Sequence, residues 1–242
     1  MFVGIAVAII VLILVLYFIY TVYVDYNNSY VTSPWLIPTT RIARQGLVLP
    51  GSTIPVSNDG SFGLEFSYSF WLYVNEWNVP GVAGGAGGAG SVLGKHIMNK
   101  GSNDGVIPTF QAPGFWLDDT SNKIIVQMNT FASMNEHCSI SDVPIGKWVN
   151  IILVVINRHM DLYVNGNLKN RCELKGLPRQ NYGDVFITQN GGFDGFLSKM
   201  RYYNYALPYY KVEQIFNDGP SDAPCTQTGT KPPYLAYDYW VS

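Results

Sequence analysis

The chain has 242 residues, with 15 Lys and Arg against 17 Asp and Glu, and a formal net charge of −2. Its basic residues are scattered, with none between Arg44 and Lys95. A nucleic-acid-binding protein carries a basic stripe or patch instead, so that class of function is excluded. Aromatic residues make up 14% of the chain, which predicts that some rings lie on a surface that contacts a partner.

The first 24 residues contain no charged side chain. The apolar stretch Phe2–Val24 is long enough to span a bilayer, which takes about 20 helical residues. Tyrosines crowd its C-terminal end, where amphipathic rings favour the headgroup layer. A cleaved signal peptide is the alternative, but the stretch lacks a basic start and a small-residue cleavage site. We therefore expect residues 1–24 to be a transmembrane helix that holds the chain in a lipid bilayer.

The charges and cysteines that follow favour the cytoplasmic side for the rest of the chain. Arg41 and Arg44 follow the apolar stretch and no basic residue precedes it, as the positive-inside rule requires for that orientation. Three cysteines form an odd and sparse set for a secreted domain of this size. Free thiols are therefore expected, although Cys138 and Cys172 would be able to pair if their strands are neighbours.

Residues 25–45 are polar, interrupted by proline and without periodicity, which predicts a membrane-proximal stalk. From residue 46 to residue 220, short apolar runs alternate with Gly, Asn, Asp and Pro, a pattern typical of a β-sandwich or barrel. The segment 79–94 is rich in Gly and Ala and predicts a loop. It lacks the Gly-Lys-Ser/Thr ending of a phosphate-binding loop, which argues against a nucleotide site there.

Two later segments carry clear local signals. Asn165-Gly166 lies between two apolar runs and predicts a tight β-hairpin, because a type I′ turn needs positive φ at both central residues. The segment PYYKVEQIFNDGP predicts a short helix that begins after Pro208 and ends at Gly219. Its apolar face consists of Val212, Ile215 and Phe216.

Residues 221–242 form a tail that is too short to fold alone. The tail is predicted to dock on a partner protein, because Tyr and Trp dominate interface hot spots, and its aromatic residues are Tyr234, Tyr237, Tyr239 and Trp240. In the alternative, the tail folds back over its own sheet.

The segment Val149–Ile156 is apolar on both faces of a predicted strand, whereas an ordinary sandwich strand alternates apolar and polar residues. The segment FSYSFWLYV has the same two-sided character. The outer face of this sheet is therefore expected to be covered, either by the chain's own loops and tail or by another protein.

The motifs FSYSFWLYV, IGKWVNIILVV, MDLYVNGNL and GGFDGFLSKMRYYNYAL, in this order and followed by the short helix, resemble the laminin-G-like, or concanavalin A-like lectin/glucanase, superfamily. The resemblance covers about residues 62–219 and implies an all-β fold, a jelly roll of two antiparallel sheets with one short C-terminal helix. Within these motifs we interpret Trp148 as a core anchor and Gly195 as the point where a strand begins close to its neighbour. A membrane span ahead of such a domain also resembles membrane-linked proteins of large DNA viruses.

The superfamily includes glycosidases, which need two carboxylates about 5–5.5 Å apart in the retaining case. The five glutamates are far apart in the sequence and no metal-ligand or nucleophile pattern is present, so we expect no catalytic residues and no enzymatic activity. Asp118 and Asp119, with Asn122 and Asp104, are the calcium candidates. A plain polar turn, in which Asp and Asn bond their own backbone, is favoured over calcium, and no other cofactor is expected.

A glycan site would use Trp77 and Trp116 as an aromatic platform, flanked by Asn and Asp residues, although packed rings are the alternative. The leading interpretation is a non-enzymatic, membrane-anchored jelly roll that links a bilayer to a protein layer, such as the capsid of a virion with an internal membrane. It would act there as a structural or minor capsid protein. A membrane-bound lectin is the alternative.

Overall fold

The computed structural model describes residues 2–60, 63–77, 94–104 and 108–223. In this part of the chain two helices and two antiparallel sheets are present. The helices are α1 (Phe2–Thr32) and α2 (Tyr209–Asn217). The strands are β1 (Trp35–Ile37), β2 (Arg41–Ile42), β3 (Leu47–Leu49), β4 (Asn58–Gly60), β5 (Gly63–Val74), β6 (Lys95–Gly101), β7 (Gln111–Leu117), β8 (Ile124–Met128), β9 (Glu136–Ile140), β10 (Trp148–Ile156), β11 (His159–Val164), β12 (Asn167–Glu173), β13 (Asp184–Ile187) and β14 (Gly195–Tyr203).

The two sheets face each other and enclose the main hydrophobic core. Sheet I has the order β1-β14-β5-β10-β11-β12, with β2 added beside β14 and β4 beside β5. Sheet II has the order β3-β13-β6-β7-β8-β9. Consecutive strands are often in different sheets or separated within one sheet, as in the predicted jelly roll. The expectation of an all-β, two-sheet antiparallel sandwich with one short C-terminal helix is confirmed.

Helix α1 runs through Thr32, eight residues beyond the expected end at Val24. It ends there because Ser33 precedes Pro34, and a residue before proline is disfavoured in the helical region. The large apolar side chains of α1 are exposed, from Ile9 at 52% to Tyr23 at 62%. In the described residues, none of the helices has the length and hydropathy that crossing a membrane requires. The transmembrane helix expected at Phe2–Val24 is therefore not confirmed.

The segment predicted as a stalk, residues 25–45, differs from that expectation. After α1, strands β1 and β2 both pair with β14, and Leu36, Ile37 and Ala43 are buried in the core. The short apolar run of β1 is flanked by prolines, so it looks like a loop in the sequence. Its pairing partner, β14, lies about 160 residues further along the chain.

Sheet I is apolar on both faces, as expected. On β10, the side chains of Val149, Ile151, Leu153 and Val155 point into the core, and those of Ile152 and Val154 point outward. The outer side is covered by α2 and by residues 205–207, which pack Val212, Ile215, Tyr205 and Leu207 against it. The chain itself therefore provides this cover. The tail residues Tyr234, Tyr237, Tyr239 and Trp240 lie outside the described residues.

Trp148 is buried, but it is not the core anchor that the sequence suggested. It is 7% exposed and belongs to a small aromatic cluster on the outer face of sheet I with Trp71, Tyr73, Phe196 and Phe216. The reason is the alternation along β10: Val149 points into the core, so its neighbour Trp148 must point away from it.

The two glycine motifs have the predicted roles. Asn165 and Gly166 have φ of 50° and 76°, as a type I′ turn requires. The Asn165 side chain also accepts a hydrogen bond of 2.8 Å from the backbone N–H of Asn150. At Gly195, an added Cβ would collide with the carbonyl oxygen of Tyr73, so only glycine lets β14 begin this close to β5.

Cys138 and Cys172 form a disulfide, with their Cα atoms 6.0 Å apart. This corrects the expectation of free thiols. Cys138 lies on β9, at the edge of sheet II, and Cys172 lies on β12, at the edge of sheet I. A hydrogen bond of 2.9 Å from Asn170 Nδ2 to the Ser139 carbonyl joins the same two edges. The disulfide thus closes one side of the sandwich.

We expect replacement of both Cys138 and Cys172 by serine to lower the free energy of unfolding by about 2–4 kcal/mol, because the bridge closes a loop across 34 positions. Chemical denaturation with and without a thiol reductant measures the effect. The reductant should destabilise the parent chain and leave the double variant unchanged. Equal stability of the parent under both conditions would contradict the pairing.

Candidate functional site

Trp77 and Trp116, the predicted glycan platform, are both buried, at 5% and 1% exposure. The indole N–H of Trp77 donates to the carbonyl oxygen of Asp118 at 2.7 Å. That of Trp116 donates to Gln111 Oε1 at 2.7 Å. Neither ring has an open face on which a sugar could stack, so the structure corrects their proposed role and favours the packed alternative.

Asp118, the first calcium candidate, uses its carboxylate within its own turn. One oxygen accepts from the N–H and the hydroxyl of Thr120, both at 3.0 Å, and the other accepts from Ser121 Oγ at 2.8 Å. Burial opposes ionisation, but these hydrogen bonds outweigh it and lower the pKa of Asp118. Among the described residues no group of three or more His, Cys, Asp or Glu side chains converges on a metal position.

The second candidate, Asp119, is different. One of its carboxylate oxygens, Oδ1, is buried and has no hydrogen-bond partner among the described residues. Burial raises its pKa, and the nearby Lys95 opposes that rise. Asp104 holds a separate turn, where its carboxylate accepts from Thr109 N–H at 2.9 Å and from Ser102 Oγ at 2.8 Å. Within the described residues, no ligand cluster supports calcium at these positions, the alternative that the sequence disfavoured.

Beside Trp116, a buried histidine is part of a polar network on sheet II. His96 Nδ1 accepts from the backbone N–H of Gln189 at 2.9 Å, so its Nε2–H donates to Asn99 Oδ1 at 2.9 Å. Its ring also contacts Trp116, with centroids 4.6 Å apart. Burial lowers the pKa of His96 to about 4, and the Asn99 hydrogen bond only partly opposes this shift.

The low pKa of His96 predicts a pH-dependent stability. In the unfolded chain the imidazole binds a proton below pH 6.5, whereas in the folded chain it does so only near pH 4. The stabilising contribution of His96 to the free energy of unfolding is therefore complete above pH 6.5 and is lost as the pH falls towards about 4. Denaturation at several pH values should show a flatter decline for His96→Gln than for the parent. The matched control is His137→Gln at an exposed position, and equal slopes for all three proteins would contradict the assignment.

An open groove lies on the outer face of sheet I, between β14 and α2. Its volume is about 280 Å³. We call it the basic groove. Its lining combines three cations, three aromatic rings, one carboxylate and two smaller side chains: Lys199, Arg201, Lys211, Trp35, Trp71, Tyr203, Asp218, Ser69 and Ile215.

A β-bulge in β14 places two of the three cations, Lys199 and Arg201, in this groove. The register against β5 shifts between Ser198 and Arg201, and Lys199 has a φ of 44°. The inward positions are accordingly Leu197 and Met200, three residues apart rather than two. Beyond the bulge the alternation is reversed, so Arg201 lies on the outer face with Lys199. Bulges commonly redirect side chains in this way.

Arg201 is the centre of the basic groove. It is the cross-strand neighbour of Trp35, and its guanidinium lies 4.6 Å from the centroid of that ring and 5.4 Å from that of Tyr203. Its Nε donates to the carbonyl oxygen of Ser33 at 2.8 Å, and Nη2 donates to Ser33 Oγ at 3.1 Å. Arg201 therefore links the groove to the segment that follows α1.

The other polar groups of the groove are mostly donors. Lys199 Nζ donates to the backbone carbonyl of Asp218 at 3.0 Å, and Lys211 Nζ donates to Gln214 Oε1 at 3.0 Å. The indole N–H of Trp71 is buried and has no acceptor among the described residues. Trp71 is held by Phe216 of α2, whose ring is stacked on it at 6.0 Å. A ligand with exposed acceptor oxygens fits such a surface.

Asp218 is the only carboxylate among the described residues that line the groove. A second, smaller cavity of about 80 Å³ lies beside residues 51–56 and is lined by Tyr68, Tyr202 and Lys100. It is too small for a saccharide.

The sequence interpretation did not select Lys199, Arg201 or Lys211. The only local signal was the alternation of basic and aromatic residues in SKMRYYNY. The bulge that turns these side chains outward, and the helix that forms the opposite wall, depend on tertiary packing.

Comparison with known proteins gives one sequence family. Residues 50–212 match the family described as the concanavalin A-like lectin/glucanases superfamily (Laminin_G_3). No curated protein matches the chain.

Among solved structures, the chain is similar to the botulinum neurotoxin serotype G binding domain, with a TM-score of 0.51 and 14% identity, over 79% of this chain and 49% of that one. It is also similar to the binding domain of botulinum neurotoxin DC in complex with SialylT, with a TM-score of 0.47 and 16% identity, over 64% and 35%. The chain thus spans less than half the length of these structures, and at such identities the likeness concerns the fold alone.

Proposed function

Because the chain belongs to the concanavalin A-like lectin/glucanase superfamily, we propose that it is a lectin-like binding module whose saccharide site is the basic groove. The observation that carries this proposal is the combination, in one open groove, of the exposed Trp35 ring with hydrogen-bonding and charged side chains. A fold alone does not establish a function, so the proposal rests on this site.

The dimensions and lining of the groove support saccharide binding. Its volume of about 280 Å³ is close to the lower end of the range of about 300–1,000 Å³ for small-molecule sites. Trp35 is 40% exposed and offers an apolar ring to the C–H face of a sugar. Ser69 and Tyr203 add hydroxyl groups, and the cations add strong donors.

The same lining supports the proposal that the module is not an enzyme. Asp218 is the one carboxylate in the groove, and a single carboxylate provides neither the acid and base pair nor the acid and nucleophile pair of a glycosidase.

The earlier interpretation, a module that links a membrane to a capsid or another protein layer, has no support from the comparisons. That interpretation expected the outer face of sheet I to be covered either by the chain's own loops and tail or by another protein. In the structure α2 and residues 205–207 cover that face, so no protein partner is needed there.

To test saccharide binding, we expect a glycan array probed with the full chain to give specific hits that Trp35→Ala weakens about tenfold, equivalent to roughly 1.4 kcal/mol. The matched control is Phe131→Ala, which removes another exposed ring, 75% exposed and outside the groove. Absence of specific hits with the parent chain would refute the lectin proposal. Equal losses of glycan binding for Trp35→Ala and Phe131→Ala would show that the saccharide site lies outside the basic groove.

We propose further that α1 attaches this module to a lipid bilayer. The support is the exposure of its large apolar side chains, between 49% and 67% for those from Ile9 to Tyr20, since contiguous exposed apolar surface of this kind marks an interaction site.

Membrane attachment predicts that the full chain stays with the membrane fraction after alkaline carbonate extraction. Four charged replacements in the middle of α1, at Ile10, Leu12, Leu14 and Leu16, should release it into the supernatant. A soluble parent chain would refute the proposal. Circular dichroism shows whether the variant retains the sandwich.

The disulfide supports a location for the sandwich that differs from the cytoplasmic expectation. Disulfides persist in oxidising compartments and are rare in the cytosol. We therefore propose that residues 35–223 lie on the non-cytoplasmic side. Treatment of intact membrane vesicles with a membrane-impermeant glycosylation or protease probe shows on which side of the membrane residues 35–223 lie.

A further inference from the structure

The charges of the basic groove define its ligand more closely. We propose, as a refinement that rests on the proposed lectin function, that the groove selects acidic saccharides and binds their carboxylate through Lys199, Arg201 and Lys211. Four independent features of the groove carry this inference.

The first feature is the sign of the charge. The groove has three cations and one carboxylate, although the whole chain has a formal net charge of −2. A concave site lined by charges of one sign concentrates ligands of the opposite sign. A neutral sugar would gain only hydrogen bonds from these cations, whereas a sugar acid would also gain the attraction between opposite charges.

The second feature is the type of group to which these cations are bonded. Elsewhere in the structure, Arg44, Arg158 and Arg171 form salt bridges with carboxylates. Within the described ranges, by contrast, no carboxylate lies at salt-bridge distance from Lys199 or Lys211. Each donates to a neutral oxygen, and an ammonium group has three donors, so both can still bind an anion.

The third feature is Trp71, which lines the groove and whose buried indole N–H has no acceptor among the described residues. A buried donor that lacks a partner is energetically unfavourable. A ligand oxygen that reached this N–H would remove the penalty. Like the three cations, the Trp71 N–H is a donor, so it would bond to an acceptor atom on the ligand.

The fourth feature separates a saccharide from a simple anion. Trp35 is 40% exposed and lies against the Arg201 guanidinium, so the apolar ring and the positive charge are adjacent. A sugar acid presents an apolar C–H face next to its carboxylate and matches both groups. Inorganic phosphate matches only the charge.

The test uses the full chain in neutral detergent micelles and two probes, a hyaluronan hexasaccharide and the same oligosaccharide with its glucuronate carboxyl groups reduced to alcohols. Titration calorimetry should show clearly tighter binding of the acidic probe, and this preference should shrink as the salt concentration rises. The indole N–H resonance of Trp71, assigned with Trp71→Phe, should shift on addition of the acidic probe.

Lys199→Gln and Lys211→Gln should each weaken binding of the acidic probe about two- to fivefold, as expected for exposed ion pairs. Each should weaken binding of the reduced probe clearly less than binding of the acidic probe. Lys169→Gln is the matched control, because Lys169 is an exposed lysine on β12 outside the groove.

The outcomes separate this inference from the proposed function. Equal binding of both probes, unaffected by the lysine variants, would overturn the acidic specificity and leave the lectin function intact. Equally tight binding of inorganic phosphate, displacing the acidic probe, would reveal a general anion site and overturn the inference. If neither probe binds and the glycan array gives no specific hit, the proposed function itself fails.

Discussion

The apolar outer face of sheet I is the constraint on which the rest of this structure depends. A sandwich sheet normally leaves its outer face in water, but β10 carries Ile152 and Val154 there, and β5 carries Trp71. Each such side chain contributes about 1.5–3 kcal/mol when it is buried. The chain satisfies this requirement by laying residues 205–207 and α2 across the sheet. Hydrogen bonds from Ser67 Oγ to the Tyr205 carbonyl and from Leu207 N–H to Ser67 Oγ, of 2.9 and 3.0 Å, hold the crossing segment in place.

The position of α2 in turn creates the basic groove. The helix covers β10 and part of β5, and Phe216 stacks on Trp71 at the edge of the covered area. In the part of the chain that the structure describes, the bulged part of β14 beyond α2 stays open. The groove is therefore the uncovered remainder of a face whose other half is packed.

Arg201 connects three parts of the molecule at this place. It bonds to Ser33 just after α1, it lies against Trp35 of β1, and it lines the groove. The Thr32 carbonyl also accepts from Asn204 N–H at 3.0 Å, so the end of α1 is joined directly to the end of β14. The C-terminal end of α1 is consequently close to the proposed binding site. On the other side of the sandwich, the Cys138–Cys172 bridge joins the edges of the two sheets, far along sheet I from the groove strand β14.

Local patterns in the sequence determined the elements whose causes are local. The Asn165-Gly166 turn follows from backbone conformational preferences, and α2 follows from Pro208, Gly219 and an apolar stripe. The two-sided character of β10 is visible as the apolar run of residues 151–156. The order of motifs was sufficient to predict the two-sheet fold. Tertiary structure alone decided the remaining features, because each depends on residues that are distant in the chain. These features are the pairing of β1 with β14, the disulfide between strands 34 positions apart, the burial of Trp77 and Trp116, and the outward position of Trp148. The basic groove belongs to the same group: a one-residue bulge in β14 reverses the side-chain alternation, and neither that reversal nor the placement of α2 opposite it leaves a periodic signal in the sequence.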